Sequence, residues 1–271
     1  MLVNGHPQHS LPLTDRAIHY GDGAFETVRV KSGKLIYWDR HLARLQRTCA
    51  VLQLPFEADL IEQDVHSLMS SHAADSILKV MITRGSGGRG YSPPDHVSAS
   101  RIVMQYALPA DYSLLAREGI CVMRCRHPLS HNQATAGLKH LNRLDQVLAS
   151  LELANDCQEG LMCDAQGRLL EGIKSNVFLV KAGALATPAL DRAGVAGIQR
   201  DVLLEMCLQH GFHVHVRDMD FAETANADEM FVCNSVFGIW PVKELRSTEG
   251  TRHIPVGSVT RALQNLLAET H

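Results

Sequence analysis

Polar and apolar residues alternate along one stretch near the start of the chain, between Phe25 and Val30. Because alternate residues of a strand point to the same side, Phe25, Thr27 and Arg29 are predicted to share one face. The other face carries Glu26, Val28 and Val30. An aromatic ring, a hydroxyl and a guanidinium together suit the wall of a polar pocket. A strand with one solvated face explains the same pattern equally well.

Other segments show the spacing of helices or the apolar runs of strands. A helix is predicted over residues 38–52, with Asp39 as its N-cap. Its apolar stripe consists of Leu42, Leu45, Cys49 and Leu52. Further helices are predicted over residues 57–71, 199–210, 221–226 and 257–269. Strands are predicted over residues 77–83, 101–108, 159–163, 169–171, 176–180, 212–217, 229–233 and 239–242.

A lysine stands in the middle of the chain at the start of another apolar pattern. The pattern consists of Leu141, Leu144, Val147, Leu148 and Leu151, and it predicts a helix that Lys139 precedes. Small and apolar neighbours can partly desolvate such a lysine, which lowers its pKa and lets the neutral amine attack a carbonyl. A solvated cation is the alternative, and it is the commoner state of a single lysine.

The length of 271 residues allows two domains of ordinary size. We predict an α/β fold of the α+β type, with a small N-terminal α/β domain over residues 1–110. An interdomain segment over 111–137 and a larger domain over 138–271, which carries Lys139, complete the prediction. A net charge of −3 gives no sign of a nucleic-acid partner.

The seven cysteines are odd in number, form no C-x-x-C pair and mostly lie in apolar runs. They therefore indicate reduced core residues in a reducing compartment. The chain shows no signal-peptide pattern and no apolar run of membrane-spanning length, so we expect a soluble, cytoplasmic protein. The 15 histidines are scattered without cysteine pairs at ligand spacing, and no metal site is predicted.

Two glycine-rich stretches could hold an anion. The loop over residues 85–92 is flanked by Arg84 and contains Arg89, which suits anion binding or closure over a substrate, although a plain hairpin loop is an equal alternative. The stretch from Gly194 to Arg200 leads into a helix, whose free N–H groups favour an anion; a simple tight turn is the alternative.

A candidate Schiff-base lysine, a carboxylate at a strand end (Glu171), a helix N-terminus and an arginine form one chemical set. Pyridoxal 5′-phosphate needs such partners for its aldehyde, its pyridine nitrogen and its phosphate. The motifs that carry a family resemblance are Tyr20–Thr27, His41–Leu45, Lys139, Glu171–Asn176 and Gly197–Arg200. In this order they resemble the fold type IV pyridoxal-phosphate enzymes, over nearly the whole chain.

That family includes branched-chain and D-amino-acid aminotransferases and aminodeoxychorismate lyases. Two segments, Thr83–Ser92 and Gly137–Gln146, are most similar to the lyases. The resemblance implies a second domain with a pseudo-barrel. It also implies a homodimer in which the loop over residues 85–92 contributes to the neighbouring site.

The resemblance implies that Lys139 holds the cofactor and acts as the acid–base catalyst. Glu171 would bond the pyridinium nitrogen, and Thr27 would be the third catalytic residue. Other expected cofactor contacts are Arg44, Asn176, Ile198, Gln199 and Ser235. Expected substrate contacts are Phe25, Thr27, Arg29, Arg89 and Tyr91. Gln199 stands where the family commonly has threonine. It has no hydroxyl to offer the phosphate, so contacts from its backbone are expected instead.

The implied reaction converts 4-amino-4-deoxychorismate to p-aminobenzoate and pyruvate for folate biosynthesis. Lys139 would remove the C4 proton, and enolpyruvate would leave. A D-amino-acid or branched-chain aminotransferase is the first alternative, since it shares the steps up to proton removal. A non-catalytic protein that binds the cofactor is the second.

Overall fold

The computed structural model describes residues 1–69, 75–96, 98–110 and 112–270. The chain divides into two compact units. The N-terminal unit comprises Met1–Leu108 with Leu138–Arg143, and the C-terminal unit comprises Pro109–Gly137 with Leu144–His271. The predicted interdomain segment begins at residue 111, which lies outside the described residues. The domain boundaries themselves stay a prediction.

The described part of the N-terminal unit contains one sheet and three helices. The strands are β1 (Leu2–Val3), β2 (His6–Pro7), β3 (Gly23–Lys31), β4 (Lys34–Leu35), β5 (Ser76–Thr83) and β6 (Ser100–Ala107). The helices are α1 (Arg16–Tyr20), α2 (Trp38–Val51) and α3 (Ala58–Met69). The strand order is β2-β1-β6-β5-β3-β4, and every pairing is antiparallel. The predicted helix over 57–71 is confirmed as far as Met69, and its last two residues lie outside the described part.

Helix α2 packs its apolar stripe on the sheet, as the spacing predicted. Leu45 and Cys49 are fully buried, against Val28 and Val30 of β3. The prediction of Asp39 as N-cap is wrong, because the helix begins at Trp38 and Asp39 lies in its first turn. The N-cap is Tyr37, whose left-handed backbone (φ 56°) turns the chain into the helix without a side-chain cap.

The described part of the C-terminal unit contains a mixed sheet. Its strands are β7 (Ile120–Arg124), β8 (Glu159–Cys163), β9 (Leu169–Gly172), β10 (Asn176–Lys181), β11 (Ala184–Pro188), β12 (Val214–Arg217), β13 (Glu229–Asn234), β14 (Gly238–Ser247) and β15 (Gly250–His253). The order is β12-β11-β10-β13-β14-β7-β8-β9, with β15 on β14. Strand β9 also lies against β10 and β11, so the sheet curls on itself. Four α-helices and a 3₁₀-helix complete the unit: α4 (Tyr112–Glu118), α5 (Leu144–Ser150), α6 (Ile198–Gln209), Phe221–Asn226 (3₁₀) and α7 (Ser258–Glu269).

The segment around Lys139 differs from the prediction. It is extended, because the Phe25 N–H donates to the Lys139 carbonyl (3.0 Å) and the Leu141 N–H donates to the Gly23 carbonyl (2.9 Å). These bonds to β3 explain why Leu138–Arg143 group with the N-terminal unit, although the predicted boundary placed them in the larger domain. The helix begins only at Leu144.

The predicted apolar stripe of that helix is also oriented differently. Leu144, Val147, Leu148 and Leu151 are exposed, whereas the buried residues of α5 are Gln146 and Ala149.

The seven cysteines are all free and buried, as predicted. Among the described residues, no helix has the length and apolar character needed to cross a membrane.

Candidate active site

Strand β3 presents the predicted polar face in the N-terminal unit. Phe25, Thr27 and Arg29 are each half-buried, and the residues between them are buried. The Lys139 Nζ atom lies 4.4 Å from the centre of the Phe25 ring, within the range of a cation–π contact. Lys79, opposite Thr27 on β5, approaches the same ring at 5.3 Å. The structure therefore brings Lys139 together with the predicted face of β3.

Arg29 lies further along that face and meets a carboxylate. Its Nη2 atom donates to Asp75 Oδ2 at 3.3 Å, and Asp75 also accepts a bond from the Ser32 N–H (2.9 Å). Both side chains of the ion pair are partly exposed, at 22% and 45%. An ion pair with that exposure stabilises the fold weakly, by about 0–1 kcal/mol.

The opposite face of β3 holds a buried charge cluster that the sequence analysis missed. Arg44 donates through Nε and Nη2 to the two carboxylate oxygens of Glu26, at 2.7 and 2.6 Å. His41 Nδ1 lies 2.7 Å from Glu26 Oε2. All three side chains are at most 4% exposed. The bidentate pair fixes the guanidinium plane of Arg44, the residue predicted to bind phosphate.

Electrostatics define the protonation states of this cluster. Burial alone would raise the pKa of Glu26, but the charge and hydrogen bonds of Arg44, helped by His41, lower it to about 2. Burial lowers the pKa of His41, and the charges of Arg44 and Lys139 lower it further. The hydrogen bond and charge of Glu26 raise it, but the net result is a lowered pKa. Glu26 is therefore a carboxylate and His41 a neutral imidazole at neutral pH.

In the C-terminal unit, Glu171 is 3% exposed and is held by two donors. Its Oε1 atom accepts a bond from Gln146 Nε2 (3.1 Å), and its Oε2 atom accepts one from the Val195 N–H (2.8 Å). Both donors favour the ionised carboxylate. Gln146 was not predicted as a site residue. The sequence contains no clear signal for it, because Asp145, Gln146 and Ser150 are all polar and all lie on the side of α5 opposite the leucines.

The N-terminus of α6 lies beside Asn176. The Asn176 side chain donates to the Val195 carbonyl (3.0 Å), so the backbone of Val195 connects Asn176 and Glu171. A Cβ atom on Gly197 would lie 2.0 Å from Asn176 Oδ1, so only glycine fits at this N-cap. Ile198 and Gln199 begin the helix and are buried.

Two side-chain donors near this helix start have no hydrogen-bond partner among the described residues. They are Gln199 Nε2 and Arg200 Nε, both buried. Burial lowers the pKa of Arg200, although Asp201 acts in the opposite direction. Buried donors normally find an acceptor, and the first amides of a helix favour an anion. The donor set therefore fits a phosphate group.

The remaining predicted residues lie in loops. Ser235 is half-buried and follows β13 directly. Before it, Asn234 Oδ1 accepts bonds from the N–H groups of Val236 and Phe237, which shapes the turn. Arg89 and Tyr91 are exposed in the N-terminal unit, with Tyr91 at 88%.

Within the described residues, the two units thus carry a lysine against an aromatic ring, a carboxylate that accepts hydrogen bonds from Gln146 and Val195, and a helix start whose donors fit an anion. These features are typical of enzymes of mixed α/β fold that bind a phosphorylated cofactor. The chain belongs to the amino-transferase class IV family, whose model matches residues 23–245. The resemblance inferred from the motifs and the predicted fold class are both confirmed.

Individual relatives cover almost the whole chain. The aminodeoxychorismate lyase of Vibrio harveyi is 34% identical over 268 residues, which are 98% of each protein. The crystal structure of 4-amino-4-deoxychorismate lyase from Pseudomonas aeruginosa is 42% identical, covers 99% of this chain and 98% of its own, and superposes with a TM-score of 0.93. The branched-chain-amino-acid aminotransferase of Escherichia coli K12 is 27% identical over 93% of this chain and 85% of that protein.

Replacing Glu26 by glutamine tests the buried charge cluster. We expect Glu26→Gln to lose about 3 kcal/mol of unfolding free energy at pH 7, because Arg44 keeps its charge without a carboxylate. In the wild type, the pKa of Glu26 falls from 4.5 to about 2 on folding. Its stabilisation is therefore complete above pH 4.5 and is lost as the pH falls towards 2. Urea unfolding at a series of pH values should show that the unfolding free energy of the variant falls less steeply than that of the wild type as the pH is lowered below 4.5.

The control is Glu249→Gln, which changes an exposed glutamate between β14 and β15. It should follow the wild-type pH profile. Equal pH slopes for Glu26→Gln and the wild type would contradict the assignment.

Proposed function

We propose that the protein is a pyridoxal-phosphate-dependent lyase that converts 4-amino-4-deoxychorismate to p-aminobenzoate and pyruvate. The observation that carries this proposal is the similarity to two aminodeoxychorismate lyases along the whole chain, at 34% and 42% identity. The aminotransferase of Escherichia coli K12 is less similar, at 27%. An aminotransferase of the same family is the alternative that the activity test must separate.

The residues present fit the cofactor. Pyridoxal phosphate, when bound, supplies an aldehyde that reacts with amines and a ring that accepts electrons. Lys139 would hold it, and Glu171 would meet its ring nitrogen, because two donors already stabilise the carboxylate. The amides of Ile198 and Gln199, with Asn176 and Ser235, would surround the phosphate. Arg44 would add positive charge, its guanidinium plane fixed by Glu26.

Acid–base chemistry in this proposal depends on Lys139. Its amine accepts the C4 proton of the substrate, and the C3–O bond then breaks with its electron pair on the departing oxygen. The enolpyruvate takes up a proton to become pyruvate, and the remaining ring becomes aromatic. Phe25 supports the lysine from one side, and Thr27 and Arg29 line the same face of β3. The two substrate carboxylates need cations, for which Arg29 and Arg89 are the candidates.

We also propose a homodimer in which the loop over residues 85–92 contributes to the neighbouring site. Support for an interface between two chains comes from the exposed apolar residues of α5. Leu151, directly after this helix, is also exposed, at 79%. Such a surface on a protein is typical of an interaction site.

We propose a cytoplasmic location as well. All seven cysteines are buried and free, which is typical of proteins in a reducing compartment.

The central test of the activity concerns Lys139. Purified wild-type protein should release p-aminobenzoate and pyruvate from aminodeoxychorismate in a 1:1 ratio, and Lys139→Ala should release neither. Lys34→Ala, which changes an exposed lysine of the same unit, should behave like the wild type. If wild-type protein loaded with cofactor transfers amino groups from simple amino acids and yields no p-aminobenzoate, the aminotransferase alternative replaces the lyase.

The role of Glu171 in the reaction can be tested by comparing it with a second buried glutamate of the same unit. Glu171→Gln should retain the cofactor, measured by absorbance, but react about 10²–10³-fold more slowly, because the charge opposite the ring nitrogen is lost. Glu159→Gln is the matched control, because Glu159 is also a buried glutamate that accepts two hydrogen bonds. The donors are Ser175 Oγ (2.9 Å) and the Gly160 N–H (3.0 Å). Burial raises the pKa of Glu159. Similar rates for both variants would refute the role of Glu171.

The proposed dimer can be tested in solution. The molar mass, measured by light scattering, should be twice the 29.8 kDa of one chain. Leu151→Asp should shift it towards one chain, because a charge would be buried in the interface. Leu208→Asp should leave the molar mass unchanged, although Leu208 is similarly exposed, at 82%. A wild-type mass of one chain, or equal behaviour of the two variants, would contradict this interface.

A further inference from the structure

One arginine of the N-terminal unit holds the backbone of the glycine-rich loop. Arg16, the first residue of α1, is 4% exposed. Its Nη1 atom donates to the carbonyls of Gly90 (3.0 Å) and Ser92 (3.3 Å), and its Nη2 atom donates to that of Tyr91 (3.0 Å). Three successive carbonyls therefore converge on one guanidinium, whose planar fork can serve them together.

The same short segment also fixes the start of the loop. The Arg16 N–H donates to the Gly85 carbonyl (2.9 Å), and Thr14 Oγ1 donates to Ser86 Oγ (3.0 Å). Between them, Asp15 forms a β-bridge with Ser86. Residues 14–16 thus hold the loop at both ends.

Asp15 is itself anchored in the sheet. Its Oδ2 atom accepts bonds from Thr83 Oγ1 (2.8 Å) and Ser100 Oγ (3.2 Å), and the residue is fully buried. The segment that holds the loop is therefore fixed to the ends of β5 and β6.

Asp22 orients the guanidinium. It accepts a bond from Arg16 Nε (2.9 Å) and one from Arg84 Nε (2.8 Å), both on Oδ2. Arg84 in turn donates to the carbonyls of Leu52 (2.7 Å) and Gln53 (3.0 Å) after α2. Burial would raise the pKa of Asp22, but the two arginines outweigh it and lower the pKa. The loop is thus connected through charge-assisted hydrogen bonds to the end of α2.

Glycine at two loop positions is required by this arrangement. Gly85 and Gly88 have φ angles of 76° and 78°. A Cβ atom on Gly88 would lie 2.3 Å from the Ser92 carbonyl oxygen and 3.2 Å from Arg16 Nη1. On Gly85 it would lie 2.0 Å from the Ser98 carbonyl oxygen. The close approach of backbone to guanidinium needs these residues.

The backbone is held while the side chains stay exposed. Tyr91 is 88% exposed, although its carbonyl is bonded to Arg16, and Arg89 is exposed as well. The Arg16 guanidinium also lies 4.7 Å from the centre of the Tyr20 ring, which contacts Tyr91 at 5.5 Å. The geometry therefore displays two side chains on a fixed turn.

We propose that Arg16 is a positioning residue for substrate binding, which fixes the turn over residues 89–92 so that Arg89 and Tyr91 meet the substrate at set positions. This inference rests on the role of that loop in the proposed function. A loop ordered before binding avoids the entropy cost of ordering it during binding. Arg16 acts through the loop backbone and needs no contact with the substrate.

The first experiment measures loop order without reference to activity. Amide hydrogen exchange of Arg16→Ala should be at least about tenfold faster across residues 89–92 than in the wild type, because the carbonyl bonds are lost. Arg16→Lys should be intermediate, since an ammonium cannot span three carbonyls in one plane. Arg101→Ala is the control, because Arg101 is a partly buried arginine of the same unit that pairs with Asp64 (2.9 Å). Unchanged exchange in Arg16→Ala would overturn the inference.

The second experiment uses the cofactor-loaded protein. KM for aminodeoxychorismate should rise about tenfold or more in Arg16→Ala, with kcat within about threefold of the wild type. Arg101→Ala should keep the wild-type KM. Faster exchange with an unchanged KM would reduce Arg16 to a structural role and overturn the proposal. A wild type without lyase activity would instead refute the proposed function, and the exchange result would still decide whether Arg16 orders the loop.

Discussion

Two backbone hydrogen bonds hold the segment around Lys139 against the start of β3, and the position of that lysine depends on them. They join Phe25 to Lys139 and Leu141 to Gly23. The pairing requires glycine at position 23, where a Cβ atom would lie 2.5 Å from the Ile82 carbonyl oxygen and 2.6 Å from Leu141 Cδ1. Since side chains alternate along extended backbone, this register places Lys139 on the Phe25 side of the strand. The lysine is therefore supported by an interior strand of a sheet rather than by a loop.

The two faces of β3 perform different tasks. One face is buried and carries Glu26, which bonds Arg44 and His41 of α2 and so fixes the helix to the sheet. Burying these charges is tolerable only because every charge has a close partner. The other face keeps Phe25, Thr27 and Arg29 half-exposed. One strand thus anchors the fold through its first face and leaves the second available for chemistry.

The sequence predicted β3 and α2 because their apolar periodicity is regular over many residues. The same reasoning failed at α5, since spacing shows that leucines share a face but not whether that face is buried. There the leucines are exposed and Gln146 is buried, where it bonds Glu171. Glu26 and Arg44 lie 18 residues apart, and Gln146 and Glu171 lie 25 apart. No local pattern connects such pairs, so the motifs supplied candidate roles and the structure added the contacts that would fix their geometry.

In the proposed function, Lys139 and Glu171 would not decide between elimination and amino transfer, since both reactions need a proton carrier and an electron-accepting ring. It must depend on which substrate is held, and the candidate cations differ in how they are held. Arg29 meets Asp75 in a half-exposed pair that a substrate carboxylate can displace at little cost. Arg89 is exposed, and the turn that carries it is fixed by Arg16. As proposed substrate contacts, Arg29 would be recruited by exchange of partners, whereas Arg89 would be presented on an ordered backbone. A substrate with two carboxylates would use both cations, and a simple amino acid has only one carboxylate to offer.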